Sequence, residues 1–387
     1  MTGRRSRAMN PPQPLWRPGE PILWLSAVLV LYGAVEMTSM FIGAFREYPT
    51  GTAFAFGLFA VYTLPFIWFI RQRDLFEPEP VPLLGLAFIW GALVATAGAI
   101  SGNIAIAGLL AKTAGLEFAA VWTPAIAGPT TEEVLKTAGI IAIALLAKGA
   151  IGSTLDGMVY GAMVGLGFQI VENVLYAINA IALSGAEDEI APVVGIFILR
   201  GLLSGLWSHA MYSALIGAGI GYALSHHGRS VARRITVAAI AFGVGWGLHF
   251  LWNSPLLNTR FGDGAGIVLA ILLKGLLGLS IIAVVYRFAK ASDRHWFVQT
   301  LSGEVDSGML SQGELDSMLS VRQRRRFRRK ASGPPRIIRR RQRLMVDLAG
   351  AVAAGDHLRA DTIRRALLPP PPDRPAPSGA ATTGQAG

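Results

Sequence analysis

Cysteine is absent from this 387-residue chain. Disulfides, thiolate nucleophiles and thiolate metal centres are thereby excluded, so any metal ligand must be histidine, carboxylate or amide oxygen. Charge is scarce as well. Asp, Glu, Lys and Arg make up 15% of the residues, against about 25% in an average soluble domain. With 52% hydrophobic residues and a mean hydropathy of +0.46, the composition is that of a polytopic membrane protein. Acidic residues are missing from one stretch in particular. Residues 322–343 hold twelve Arg or Lys and no acid; setting them aside takes the net charge from +11 to about −1. The basicity is local.

Crossing a bilayer takes about 20 apolar residues, and roughly eight stretches fit: 22–43, 52–71, 81–111, 118–148, 154–183, 191–224, 234–257 and 264–288. The sequence therefore predicts an all-α, polytopic transmembrane helical bundle of about eight spans. The first stretch is too long and uninterrupted for a cleaved signal peptide. Pro129 predicts that 118–148 is a short interfacial piece followed by a helix. Eight spans put both termini on one side. Arg71, Arg73, Lys148, His226, His227, Arg229, Arg233, Arg234, Arg287 and Lys290 fall on that side, and Glu187, Asp188 and Glu189 fall opposite. Basic short loops lie in the cytoplasm, so both ends are expected there, in a multi-pass protein of the cell membrane.

Three regions follow: a cytoplasmic N-terminal segment (1–21, with Arg4, Arg5 and Arg7), a transmembrane domain (22–290) and a basic cytoplasmic tail (291–387). The tail is Arg-rich, then Pro-rich over 369–377, and is expected to be largely disordered. Its Arg run is read as an attraction to anionic lipid, at about 1 kcal/mol per residue near the surface. Nucleic acid is not expected, because Phe327 is the only aromatic in the run and stacking partners are therefore few.

Four short motifs break the apolar runs: Glu132-Glu133-x-x-Lys136, Phe168-x-x-x-Glu172-Asn173, His209-x-x-x-Ser213 and His249-x-x-x-Asn253. An acid or base at the centre of a membrane helix costs about 2.5–3.5 kcal/mol on insertion scales. A chain carries that cost repeatedly where the groups satisfy one another or do chemistry. Thr130 to Glu133 also reads as a capping box, and the two readings are compatible. Adjacent carboxylates repel unless a cation or metal intervenes, and Lys136 lies one turn away. Glu172 has no cation nearby in sequence and requires a partner from another helix. His209 with Ser213, and His249 with Asn253, each share a helix face. At about 1.5 Å per residue, Glu133, Glu172, His209 and His249 fall roughly 22, 16, 27 and 12 Å from the non-cytoplasmic face, all inside the bilayer. Such oxygen and nitrogen groups suit Zn²⁺ with an open position, or direct activation of water.

Other features read as packing. Gly157, Gly161 and Gly165 form a small-residue ridge for close helix approach. Trp207, Trp246 and Trp252 read as packing or interface aromatics, and Glu36 and Lys274 as structural. Arg200 stands evenly between an interfacial residue and an electrophile near the site.

Taken together, the four motifs resemble the PrsW family of intramembrane proteases, and more distantly the type II CAAX prenyl protease and bacteriocin-processing group. The likeness is close over about 120–255 and does not reach the tail. It implies site-1-type cleavage of a membrane-anchored protein, an anti-sigma factor in the best-known role. Glu132 or Glu133 would activate water, helped by a histidine, while the other histidine and Asn253 would stabilise the oxyanion. With a metal, Glu172, His209 and His249 become the expected ligands. Two other classes compete: an ion- or proton-coupled transporter, and a non-catalytic scaffold or immunity-type protein. An inverted repeat would mark the transporter, and none is evident. Acids and imidazoles intact at all four motifs speak against the scaffold.

Overall fold

The computed structural model describes residues 15–71, 79–256, 264–331 and 333–368. Arg4, Arg5, Arg7, Arg73, the Pro-rich stretch 369–377 and the side chain of Trp207 lie outside what is described. Among the described residues there is no strand. The chain divides into two units, 1–297 and 298–387.

The first unit begins with α1 (Pro21–Glu47) and α2 (Pro49–Arg71), each opened by a proline whose missing N–H costs nothing at a helix start. On α1 the buried residues Ser26, Gly33, Met37 and Ala44 make one narrow stripe, while Leu25, Val28, Leu31 and Val35 are exposed. An apolar surface outside a thin packing seam is what lipid-facing helices require. Next comes one run, Val81–Ala114, built from α3 (Val81–Ile89), a π-helical stretch (Trp90–Ala95) and α4 (Thr96–Ala114). Within it the Thr96 hydroxyl donates to the carbonyl of Gly91 at 3.0 Å. Then follow α5 (Leu116–Leu146), α6 (Thr154–Leu183), α7 (Ile190–Ile196) with a second π-helical stretch (Phe197–Leu203), α8 (His209–Ser225), α9 (Val231–Asn253) and α10 (Gly264–Asp306).

Among the described residues, six helical runs are long and apolar enough to cross a membrane, by length and composition. These six, with α5 and the α7–α8 segment, fill the eight regions expected from sequence. Two details differ. α5 runs unbroken through Pro124 and Pro129, where an interfacial piece and a separate helix were expected. Within the proline stretch Asn253 Nδ2 donates to Pro124 O at 3.0 Å, a side-chain bond from α9. Membrane helices keep prolines where neighbouring helices surround the freed backbone groups. The region 191–224, expected as one span, is instead broken between Leu203 and His209.

α6 is the axis of this unit. A Cβ on Gly157, Gly161 or Gly165 would lie 2.1 Å, 2.1 Å and 2.3 Å from the carbonyl oxygens of Gly217, Ser213 and His209 on α8. On its other side, a Cβ on Gly167 would meet the Phe88 carbonyl oxygen at 2.0 Å. The glycine ridge thus brings α8, and with it His209, into backbone contact with the helix that carries Glu172.

The second unit is helical where composition suggested disorder, which corrects that expectation for the described residues 298–331 and 333–368. It contains the end of α10, then α11 (Gln312–Ser317), α12 (Val321–Lys330), α13 (Pro335–Ala354) and α14 (His357–Leu367). Each start carries a signal: a Ser311/Glu314 capping box, Ser320, Pro335 and Asp356. Gly355 ends α13 at φ +70°. The arginines misled because they occupy the outer faces of amphipathic helices. Leu301, Leu310, Leu315, Met318, Met345, Leu348, Ile363 and Leu367 are buried inside. Two ion pairs close the unit, Arg364 to Glu304 at 2.6 Å and Arg341 to Glu314. Burial raises the Glu314 carboxyl, but hydrogen bonds from Arg341 and the Ser311 backbone outweigh it, so its pKa sits below the usual carboxylate range.

Two predictions follow from this packing. Gly161→Ala overpacks the α6–α8 contact and lowers stability by about 1–3 kcal/mol, whereas Gly57→Ala, with nothing within 4 Å of the new Cβ, does not; thermal unfolding of the purified pair compares them. A depressed carboxyl pKa adds stability that is complete above the unfolded value, about 4.3, and is lost as pH falls through the folded one. Hydrogen exchange in α11 and α13 should therefore accelerate below that range in the native protein. In Arg341→Gln it should already be fast at neutral pH; equal protection in both proteins at every pH contradicts the assignment.

Candidate active site

Four helices deliver the polar groups to one place. α5 presents Glu132, Glu133 and Lys136, α6 Glu172, α8 His209 at its first residue, and α9 His249 and Asn253. Glu133 and Lys136 have no exposed surface, His249 has 1%, and Glu132 and His209 have 4%.

The cluster is organised around Glu133 and Lys136. The Lys136 ammonium is 2.6 Å from Glu133 Oε1, 3.8 Å from Glu132 Oε2 and 3.0 Å from His209 Nδ1. Glu133 Oε1 also lies 2.9 Å from His249 Nδ1. The ammonium sits 4.4 Å from the centroid of the Phe168 ring, on its face, which gives the phenylalanine of the second motif a role as a cation–π floor.

These contacts fix both imidazoles. An ammonium only donates, so His209 Nδ1 must offer it a lone pair; its proton is then on Nε2, which donates to Glu172 Oε2 at 2.8 Å. His249 is arranged the other way round. Its Nδ1–H donates to Glu133, and Nε2 accepts from Asn253 Nδ2 at 3.2 Å. These two acceptor nitrogens, His209 Nδ1 and His249 Nε2, lie 3.6 Å and 3.8 Å from Glu132 Oε2, and each carries one hydrogen bond, from Lys136 and from Asn253, that a cation would replace. That oxygen is buried and accepts no hydrogen bond among the described residues, and neither does Glu133 Oε2.

Glu132, His209 and His249 each offer one ligand atom within 4.8 Å of the others. Two neutral imidazole nitrogens, each backed by a carboxylate on its other nitrogen, and one unpartnered carboxylate oxygen are a donor set that fits a divalent cation. The partner required by Glu172 comes from Arg200, with which it is ion-paired. Glu172 therefore sits behind His209, and the acid grouped with the two imidazoles is Glu132.

Ser213 is fully buried, but its hydroxyl has no hydrogen-bond partner among the described residues, and its backbone instead meets Gly161. Trp246 donates to Thr130 Oγ1 at 3.3 Å and stacks on Phe250. Lys274 donates to the carbonyls of Trp252 and Ser254, which flank Asn253. Sequence reasoning passed over three neighbours. Asn103 on α4 donates to Glu132 Oε1 at 3.5 Å and accepts from Thr131; an amide inside an apolar run was its signal. Tyr212 stacks on His249 at 5.1 Å. Gly128 has no side chain where a Cβ would come 3.1 Å from Asn253 Nδ2 and 3.3 Å from Glu132 Oε1; nothing in the sequence marked either of these two.

Compared with models of known families, residues 79–286, just over half of the chain, match the one described as PrsW family intramembrane metalloprotease. No curated protein and no solved structure matches the chain.

Proposed function

We propose the following division of labour for this chain, which belongs to the PrsW family of intramembrane metalloproteases and is a multi-pass membrane protease. Glu132, His209 and His249 hold a divalent cation, with Zn²⁺ the best match to a nitrogen and oxygen donor set without sulfur. When bound, the cation supplies Lewis acidity and lowers the pKa of water. Glu133 is the general base. Its Oε1 is occupied by Lys136 and His249, while Oε2 is buried, unpartnered and free to take a proton. Lys136 keeps the neighbouring carboxylates from repelling each other. Glu172 holds the Nε2–H of His209, as Glu133 holds the Nδ1–H of His249. Asn253 Nδ2, at the edge of the cluster, would have its N–H toward His249 released when the cation takes Nε2, and that N–H is the donor offered to the oxygen of the scissile carbonyl.

The observation that carries this reading is the convergence of two imidazole acceptor nitrogens on one carboxylate oxygen that takes no hydrogen bond among the described residues. The substrate is a membrane-anchored protein, with a single-pass anti-sigma factor as the leading candidate. The enzyme lies in the cell membrane with both termini in the cytoplasm. There the exposed arginines of α12 and α13 attract anionic lipid.

Cleavage of a single-pass reporter by the purified enzyme in detergent tests the assignment. A chelator should abolish cleavage and added Zn²⁺ restore it. Glu133→Gln should lower turnover about 10²–10⁴-fold yet keep the metal, and Glu132→Gln should lose both. Full activity in demonstrably metal-free protein would overturn the metal assignment, and full activity of Glu133→Gln the assignment of the base.

A further inference from the structure

Arg200 lies in the π-helical stretch Phe197–Leu203, just before the break that precedes His209. Its guanidinium is engaged at three points. It pairs with Glu172, its Nε donates to Asn173 Oδ1 at 2.8 Å, and its carbon sits 3.9 Å from the centroid of the Tyr176 ring. Glu172, Asn173 and Tyr176 all stand on α6, so one arginine ties the broken segment to the helix that backs His209.

The irregular backbone around Arg200 is itself held. Tyr62 Oη donates to Gly201 O at 2.7 Å, Ser204 Oγ to Leu199 O at 2.9 Å, and Gln169 Nε2 to Gly205 O at 3.2 Å. Gly205 leaves room for the tyrosine, since a Cβ there would come 1.9 Å from Tyr62 Oη. A π turn shifts the register of the residues after it and is frequent at functional sites. Here it sets an arginine against Glu172.

We infer that Arg200 is a positioning residue for the reaction: through Glu172 it fixes the tautomer and orientation of His209, so that His209 Nδ1 faces Glu132. The chain of contacts is Arg200 to Glu172 Oε2, and Glu172 Oε2 to His209 Nε2 at 2.8 Å. Glu172 Oε2 thus accepts from both partners, and the guanidinium holds that oxygen in place. Lysine is a poor substitute, because a point charge cannot meet Glu172 and Asn173 from one planar group. The inference rests on the proposed assignment of His209 as a ligand, and outer partners of such ligands are worth about 10–100-fold in metal affinity or activity.

The test compares native enzyme, Arg200→Lys, Arg200→Gln, Glu172→Gln and the double variant in detergent, after thermal unfolding shows each is folded. Zn²⁺ affinity is measured by competition with a chromophoric chelator, and cleavage of the reporter gives kcat and KM. Arg200→Gln is expected to weaken Zn²⁺ binding and lower kcat about 10–100-fold at unchanged KM. Arg200→Lys should fall between, and the double variant should be no worse than Glu172→Gln alone. A raised KM with kcat and Zn²⁺ affinity intact would make Arg200 a substrate contact and overturn the inference; additive losses in the double variant would do the same. If native enzyme binds no Zn²⁺, the metal assignment fails, while the kcat cycle still decides whether Arg200 acts through Glu172.

Discussion

A lysine ammonium with no exposed surface, 2.6 Å from one carboxylate and 3.8 Å from the next, is what permits two adjacent glutamates to be buried in this bundle. Each ionisable group would be strongly unfavourable alone in an apolar interior, and none of them is alone. Lys136 meets Glu133, Glu132 and His209; Glu133 meets His249; Glu172 meets His209 and Arg200. The exception is informative. Glu132 Oε2 is left without a hydrogen bond at the point where both imidazoles offer lone pairs. Together with the second oxygen of Glu133, which likewise accepts no hydrogen bond among the described residues, that opening is where chemistry has room to occur.

The bundle around the site serves this arrangement. The glycines of α6 remove the side chains that would hold α8 away, which lets His209 reach Glu172. Two π-helical stretches depart from regular helix and two prolines stand inside α5, and hydroxyl or amide side chains bond carbonyls in all three. Irregular backbone at membrane depth is tolerated where protein, rather than lipid, surrounds it.

Much of this was legible in the sequence because membranes punish polar residues. Glu132, Glu133, Lys136, Glu172, His209, His249 and Asn253 stood out as interruptions of apolar runs, and the structure brings all of them into one connected cluster. What stayed hidden depends on tertiary contact. Tyr212 and Gly128 are ordinary residues of membrane helices, and only the approach of α9 to α5 and α8 gives them a place beside His249. The π-helical stretch before the break was hidden because it changes hydrogen bonding without changing composition, and the break itself shows in sequence only as Ser204-Gly205 and Ser208 inside an apolar run. In the C-terminal unit the fault was the reverse: the density of arginine concealed an apolar seam, with Leu348 and Met345 at its centre.

The central claim is that two neutral imidazoles and Glu132 form one cation site inside the membrane. X-ray absorption at the zinc edge on the purified Zn²⁺-loaded enzyme addresses it most directly. The account predicts one zinc per chain with two imidazole nitrogens at about 2.0–2.1 Å and oxygen completing the shell, and loss of that signal in His249→Ala. A shell without imidazole, or zinc retained unchanged in His249→Ala, would contradict it.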